Sequence, residues 1–404
     1  MAPHPGSHRG TLVLDGGWGM RQRRTGFAMG VATAAALSAC AVPAALRGDE
    51  VPAGWERVSV GGLTLTGPVE PYQPGRLLAS GLLHGRPCLV ELTVEGAARC
   101  LPDGDTSPAI PSATALSTNG DVILAVEWQD MGDATPPVVW AGDDARLARE
   151  SLAPGPDGNA TAFVDAATSD DEAIVVGTVP SAACPHGAVS AWTVRSPGLT
   201  PFGAQGPCVD AGSPSPLRAD TGDGWLLVAG PLFAPGTVPS ASGLTQIWFA
   251  TAEDEEWSTA EWHHVTTTDA ADLVTDVVVA VDGVVAGSRA GRPVLVTVSG
   301  DRATTVDVPD DALESTSPTV LVADPGVGGQ PVVLAVQALR GTRVWTQRQD
   351  GWYAVDGPRG LLTSAVEMED ATYVAVRDDD AEVTLWVRRR TATDASPPAY
   401  RAQR

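Results

Sequence analysis

The chain predicts an all-β fold, a β-propeller of four-stranded blades, on three observations. Apolar runs are short and β-branched, a tryptophan recurs about every fifty residues, and no sustained amphipathic helical period occurs. Asp121–Glu127, Ala173–Val179, Trp225–Gly230, Val332–Val336 and Tyr373–Val376 are nearly continuous in apolarity, as strands buried on both faces are. Parallel sheets buried in this way need crossover helices, and no stretch carries the period and caps of one. The sheets are therefore expected to be antiparallel and covered by other sheets.

The repeat sets the register. An apolar residue followed by tryptophan stands at Val139-Trp140, Ala191-Trp192, Ile247-Trp248, Val344-Trp345 and Leu385-Trp386, and Val90 and Val296 hold the same place in two further units. Successive spacings of 50, 52, 56, 48, 49 and 41 residues match the period of a propeller blade. Seven units fit between Gly54 and Arg390, with six or eight blades, or stacked β-sandwiches, as alternatives. One unit shows the plan: Leu273–Val281 as inner strand, Gly283–Arg289 second, Pro293–Ser299 third and Ala303–Val308 outer. The last unit, Leu361 to Arg390, offers three strands. Trp55–Leu65 is expected to supply its fourth, which closes the ring and hides an open edge. The tryptophans beside apolar neighbours are expected to pack between blades.

Ahead of this domain, Leu37-Ser38-Ala39-Cys40 follows an apolar run from Gly26 and the basic residues Arg21, Arg23 and Arg24. The segment resembles the lipobox of bacterial lipoproteins. That resemblance implies diacylglyceryl transfer to Cys40, which would become the first residue of the mature chain. Plain secretion is the alternative; a spanning helix needs roughly twenty apolar residues, more than this run has. Met20 reads as the natural start, with 1–19 a non-native extension, 20–39 the signal peptide, 40–53 a tether, 54–392 the propeller and 393–404 a flexible tail. Fourteen tether residues reach at most roughly 45 Å, so the propeller would sit close to the membrane. Arg23-Arg24-Thr25-Gly26-Phe27 is similar to a twin-arginine signal, so both export routes stay open.

Composition narrows the chemistry. All 26 basic residues are arginines, against 49 acidic ones, a net charge of −23. The bias towards Ala, Gly, Pro, Val and Asp resembles GC-rich actinobacterial genomes. Without Arg9, Arg21, Arg23, Arg24 and Asp15, the mature chain has 22 basic and 48 acidic residues, net −26. Such a surface repels nucleic acid and anionic headgroups, so membrane attachment would come from lipid on Cys40. With no lysine there can be no P-loop, no S-x-x-K nucleophile pair, no kinase lysine and no PLP Schiff base. Gly287-Ser288-Arg289-Ala290-Gly291 misplaces its serine for a nucleophile elbow, and Gly326-Val327-Gly328-Gly329 lacks the third spaced glycine of a dinucleotide fingerprint.

Four cysteines remain after Cys40, an even number in an exported chain. Cys88–Cys100 and Cys184–Cys208 are the expected bridges, because each pair brackets adjacent strand-like segments. Two other pairings are possible. Zinc lacks any C-x-x-C spacing, and His263-His264 are neighbours whose side chains would point to opposite faces of a strand. Asp378-Asp379-Asp380 reads as a solvated turn, since it lacks the alternating oxygen ligands of a calcium loop. No cofactor or metal is expected.

Asp350-Gly351-Trp352 resembles an Asp-box, the turn motif of sialidase-like propellers, in one blade. The likeness concerns fold and turn and carries over no catalytic residue. A sialidase-like enzyme would need an arginine cluster and a Tyr/Glu pair, and only Tyr72, Tyr353, Tyr373 and Tyr400 exist. Trp257 and Trp262 fall outside the repeat's phase and are the candidates for a surface contact. The chain thus reads as a non-enzymatic envelope module that binds or scaffolds an extracytoplasmic protein. A glycan-binding or glycan-hydrolysing propeller, or an inert spacer, are the alternatives. Cys40→Ala is expected to abolish incorporation of a fatty-acid probe and leave an unprocessed precursor, read by metabolic labelling and intact mass; unchanged labelling would refute the lipobox.

Overall fold

The structure, a computed structural model, describes residues 51–390 except 103–109, 111–112, 128–136, 152–161, 170–172, 185, 196–197, 203–205, 211–216, 223, 238–244, 254–255, 267–272, 281, 307, 309–318, 326–331, 339–340, 349–350, 369–370 and 379–381. Cys40, the signal peptide, most of the tether and the C-terminal tail lie outside the described residues. Within them every regular element is a strand, and no helix is long and apolar enough to cross a membrane.

A two-residue strand, β1 (Glu56–Arg57), is followed by a series of antiparallel four-stranded units. The first unit is β2 (Leu63–Gln73), β3 (Arg76–Leu83), β4 (Arg86–Thr93) and β5 (Ala98–Leu101). The second is β6 (Ala113–Thr118), β7 (Ile123–Glu127), β8 (Val138–Gly142) and β9 (Leu147–Ser151). In the third, β10 (Ala162–Thr168), β11 (Ala173–Val179), β12 (Ala188–Val194) and β13 (Leu199–Pro201) are joined by β14 (Cys208–Val209). The fourth orders β15 (Arg218–Gly222), β16 (Trp225–Gly230), β18 (Gln246–Glu253) and β19 (Glu256–Val265), while β17 (Leu232–Phe233) leaves to pair with β14. The fifth is β20 (Leu273–Val279), β21 (Gly283–Arg289), β22 (Arg292–Ser299) and β23 (Arg302–Val306), close to the sequence reading at every boundary. The sixth is β24 (Val320–Pro325), β25 (Val332–Ala338), β26 (Gly341–Arg348) and β27 (Gly351–Asp356). The last is β28 (Leu361–Met368), β29 (Ala371–Arg377) and β30 (Val383–Arg389), completed by β1.

First strands touch in the cycle β2, β6, β10, β15, β20, β24, β28 and back to β2, which makes the sheets a closed ring, a β-propeller. Its seam differs from the expected one. Trp55–Leu65 does not run as one closing strand: only Glu56 and Arg57 pair with β30, opposite Val387 and Trp386, and the Val58 amide donates to the Leu385 carbonyl. Gly61-Gly62 then turn the chain, Gly62 at φ 77°, a conformation side chains resist. Leu63 onward becomes the first strand of the first unit, tied to β30 by the single register pair Leu65 with Val383. Trp55 anchors the seam from inside, 3 % exposed, its indole N–H donating to the Asp356 carbonyl of the sixth unit at 2.9 Å.

Alternation along the third strands builds the core. Trp140, Trp192, Trp248, Trp345 and Trp386 each face the preceding unit, as do Val90 and Val296 in the other two. The residue just before each one (Leu89, Val139, Ala191, Ile247, Leu295, Val344 and Leu385) faces the following unit. A period-2 strand thus supplies both of its interfaces with one dipeptide. The second strands, apolar on both faces, fill the middle of each sandwich, which is why they read as continuous apolar runs.

Cys88 is bonded to Cys100 and Cys184 to Cys208, with sequence separations of 12 and 24. Each bridge contributes about 3 kcal/mol if unstrained. The second fixes β14 beside β12 and so holds the β14–β17 pairing that links the third unit to the fourth. Both bridges sit at the end of the sheets where third strands begin. The described chain enters at the opposite end, where β1 meets the last residues of β30.

Trp345→Ala is expected to lower stability by about 3–5 kcal/mol, because it opens a cavity at 4 % exposure between two units. Trp140→Ala, at a half-buried position, should cost less. Urea unfolding midpoints of the two variants check the order.

Candidate functional site

The residues that converge in this fold lie around the ring axis. In six units the first strand is terminal in its sheet, and in the first unit β2 meets β30 at one register pair only, so most axis-side N–H and C=O groups have no ladder partner. Side chains of the preceding unit meet that need. The Ala219 amide donates to Asp165 Oδ2 at 3.0 Å, Val279 to Asp220 Oδ2 at 2.7 Å, and Val322 to Asp276 Oδ2 at 2.8 Å. The other oxygens of Asp165 and Asp276 accept the amides of Ala166 and Val277, and Asp220 also accepts from Thr221. Each aspartate thereby clasps two backbone donors across a joint.

Elsewhere the clasps are neutral. Ser364 Oγ accepts the Val69 amide at 3.0 Å, Ser80 Oγ the Ala113 amide at 3.4 Å, and Gln337 Oε1 the Leu362 amide at 3.1 Å. Ser117 and Thr168 hydroxyls meet at 2.9 Å, and Asn119 donates its side-chain amide to the Ser169 carbonyl. Gly67 makes the tightest joint possible: a Cβ there would lie 2.1 Å from Ser80 Oγ and 2.7 Å from the Ala113 carbonyl.

A fourth carboxylate, Glu70 of β2, shares the electrostatic field of Asp165, Asp220 and Asp276. Its carboxyl makes no hydrogen bond among the described residues. Burial first, then repulsion from the three aspartates, holds Glu70 well above the ordinary carboxylate range. Burial likewise pushes Asp220 up to about 8 and Asp276 up to about 7, against the pull of their amide donors. Asp165 is raised by burial and drawn back by Arg218 and by its amides. Arg218 spends its own donors on the Thr275 and Leu217 carbonyls, at 3.2 and 3.3 Å.

A second polar cluster occupies the first unit. Glu91, 3 % exposed, lies between Arg76 Nη1 at 2.9 Å and Arg99 Nη2 at 2.7 Å. Nearby Tyr72 is buried, and burial with the Asp144 and Glu91 charges raises its hydroxyl to about 12. That shift runs opposite to the activation of a tyrosine nucleophile. Tyr373 is buried between the last and first units, and Tyr353 lies exposed on β27. Tyr72, Tyr353 and Tyr373 thus occupy three separate settings among the described residues.

Trp257 does not offer the surface contact expected of it. At 4 % exposure it stacks on Phe202, with ring centroids 4.6 Å apart, in the core between the third and fourth units. Trp262 is half-buried against the same core. The long edge strand β19 folds its two off-phase tryptophans inward, a direction the repeat's phase does not reveal. His263 and His264 take opposite faces of β19, the first stacked on Phe249 and the second against Trp248. No group of three His, Cys, Asp or Glu residues that could hold a metal occurs among the described residues. Asp378 closes the turn before β30 by accepting the Glu382 amide at 2.9 Å; Asp350, Asp379, Asp380 and Tyr400 lie outside the described residues. The axial aspartates carry a signal in the sequence. Asp165, Asp220 and Asp276 are the single acids of their first strands, spaced 55 and 56 residues apart, near the blade period.

No protein-family model matches the chain, and no curated protein sequence matches it. Among solved structures, a protein from Lactobacillus plantarum is similar at 13 % identity and a TM-score of 0.52, over 83 % of this chain and 93 % of that one. A structure described as YCF48 bound to D1 peptide is 13 % identical with a TM-score of 0.48, covering 86 % of this chain and all of the other. An α-L-arabinofuranosidase from Fusarium graminearum follows at 11 % identity and 0.38, over 84 % of this chain and 98 % of that one. Likeness at this level concerns the fold.

Ser364→Ala is expected to cost about 1–3 kcal/mol, because it orphans the Val69 amide at the joint between the last and first units. Thr363→Ala, which removes only a hydroxyl donor to the Ala375 carbonyl, should cost less. Equal urea midpoints for the two variants would contradict the clasp.

Proposed function

We propose that the chain is an exported lipoprotein, anchored through Cys40 to the outer face of the cytoplasmic membrane, whose propeller binds and scaffolds an extracytoplasmic protein partner. The observation that carries the reading is the use of the axial polar groups. The three aspartates and Arg218, which would supply acid, base or electrophile in an enzyme, are engaged with backbone amides and carbonyls. A ring whose convergent groups hold its own frame together is suited to presenting a rigid surface.

Two further features support the reading. The segment Leu37-Ser38-Ala39-Cys40 resembles a lipobox, which would direct export and acylation, and two disulfides fit an oxidising compartment. Chain entry and both disulfides lie at opposite ends of the sheets. The cross-linked end, opposite the one at which the described chain enters, is the face on which a partner would dock.

Crosslinking the full-length lipidated protein in its native envelope, followed by co-purification and mass spectrometry against Cys40→Ala, tests the proposal. The expected result is a reproducible protein partner that is lost or depleted in the unanchored variant. An empty result with well-expressed bait, together with hydrolysis or binding in a glycoside screen, would overturn it.

A further inference from the structure

The seam of the ring has its shortest fourth strand. β1 has two residues, Glu56 and Arg57, where the fourth strands of the other units have three to ten among the described residues. Past Arg57 the chain leaves β30 until Leu65 meets Val383. That interval holds a crevice of about 320 Å³ between the last and first units. Its buried lining is Leu65, Leu92, Val383 and Leu385, and Val58 and Val60 line it half-buried against the same core. Gly61 and Glu382, exposed in its lining, adjoin the turns that precede β2 and β30, which places the mouth at the end of the sheets where third strands begin.

One donor inside the crevice is unmet among the described residues. Along β30 alternate residues turn their main-chain groups to the seam, and the Leu385 carbonyl, which accepts the Val58 amide at 2.9 Å, marks Leu385 as one of them. Its N–H faces the same way. A return bond from that N–H to the Val58 carbonyl would make Val58 and Leu385 a register pair. The ladder has no such pair: it joins Glu56 with Val387 and Arg57 with Trp386, and then only Leu65 with Val383. Leu385 is 4 % exposed, so its amide is a buried donor that lacks an acceptor.

We propose that the crevice is a peptide-binding pocket: it takes one aliphatic side chain from an extended segment of the protein partner, while the Leu385 N–H donates to a main-chain carbonyl of the same segment.

The occupant follows from the lining, and its source rests on the protein-partner reading above. Leucine and valine side chains form the buried part, so a sugar or a phosphate entering it would lose water without gaining partners. A saturated side chain would gain by the same burial. The unmet amide selects a carbonyl beside that side chain, and an extended peptide carries the two at a fixed spacing. The space is at the lower bound of ligand pockets, about 300–1,000 Å³, which suits a residue with its peptide unit and excludes a large cofactor. Arg57 and Glu382, also in the lining, are 3.7 Å apart with side chains 53 % and 52 % exposed. An ion pair so exposed contributes little to stability, and parting it to admit a segment costs the fold little.

Titration of the isotope-labelled full-length protein with N-acetyl-leucine N′-methylamide, an aliphatic side chain beside a peptide carbonyl, tests the pocket with no partner in hand. The Leu385 amide proton is expected to move downfield and saturate. N-acetylglycine N′-methylamide, with no side chain to bury, should bind about tenfold more weakly or worse. Val60→Phe, which enlarges a half-buried lining residue, should abolish the response at an unchanged urea midpoint. No movement of the Leu385 amide, or equal responses to the two compounds, would overturn the pocket; should Val60→Phe not fold, that comparison in the wild type decides alone. In the native-envelope crosslinking, the captured partner should be lost from folded Val60→Phe. A partner that stays with this variant refutes the pocket and leaves the scaffold reading intact. A saturating leucine response with no partner captured supports the pocket and counts against the scaffold reading.

Discussion

The open inner edge of every sheet is the constraint on which this ring depends. A propeller removes the outer problem of a lone sheet by stacking faces, yet its first strands still expose a row of unpaired amides and carbonyls towards the axis. Leaving a buried N–H without an acceptor costs about 1–3 kcal/mol, and the ring presents such groups in every unit. The chain answers with side chains from the preceding unit: aspartate at three joints, serine or glutamine at three more, and at the joint between the second and third units Asn119, which donates to the Ser169 carbonyl beside the Ser117–Thr168 hydroxyl pair. Each clasp fixes the rotation of one sheet relative to the next, so satisfying the edge also sets the geometry of the circle.

Face packing supplies the rest. The interfaces between units are built from the same alternation, a large residue facing back and a smaller or aliphatic one facing forward along each third strand. Such packing is strong but forgiving, since Val90 and Val296 replace tryptophan without changing the plan. The seam needs more. There the fourth strand is only Glu56–Arg57, and Trp55, buried beside Trp386 in the core shared with the sixth unit, adds the apolar contact that two residues of ladder cannot provide.

These two devices bear on function through the groups that they consume. Acids and an arginine gathered about an axis would suggest a reaction centre, but here three of the four acids are anchored by at least two amides apiece and the arginine by carbonyls. The buried Glu91 is likewise enclosed by two arginines. Among the described residues, these inner polar groups bind the frame of the ring. The end of the sheets opposite the incoming chain is the one reinforced by both disulfides.

The sequence by itself determined the strand class, the repeat and the third-strand phase, because a two-residue period and a fifty-residue period are written directly in residues such as Ile247-Trp248 and Leu385-Trp386. It favoured the short-range pairing of Cys88 with Cys100 and Cys184 with Cys208 over two others, because each pair brackets adjacent strand-like segments, and the structure has that pairing. Only the tertiary structure decided which way the exceptions turn. Trp257 and Trp262 lie off the phase yet pack inward, because the outer strand β19 twists over the third unit's core. The closing strand stops at Arg57, because Gly61-Gly62 redirect the chain into β2. Asp165, Asp220 and Asp276 recur near the blade period, and their role depends on where the next unit's unpaired amides fall. Local periodicity fixes what a strand is; the contacts across a joint, between residues some fifty positions apart, fix what its polar side chains do.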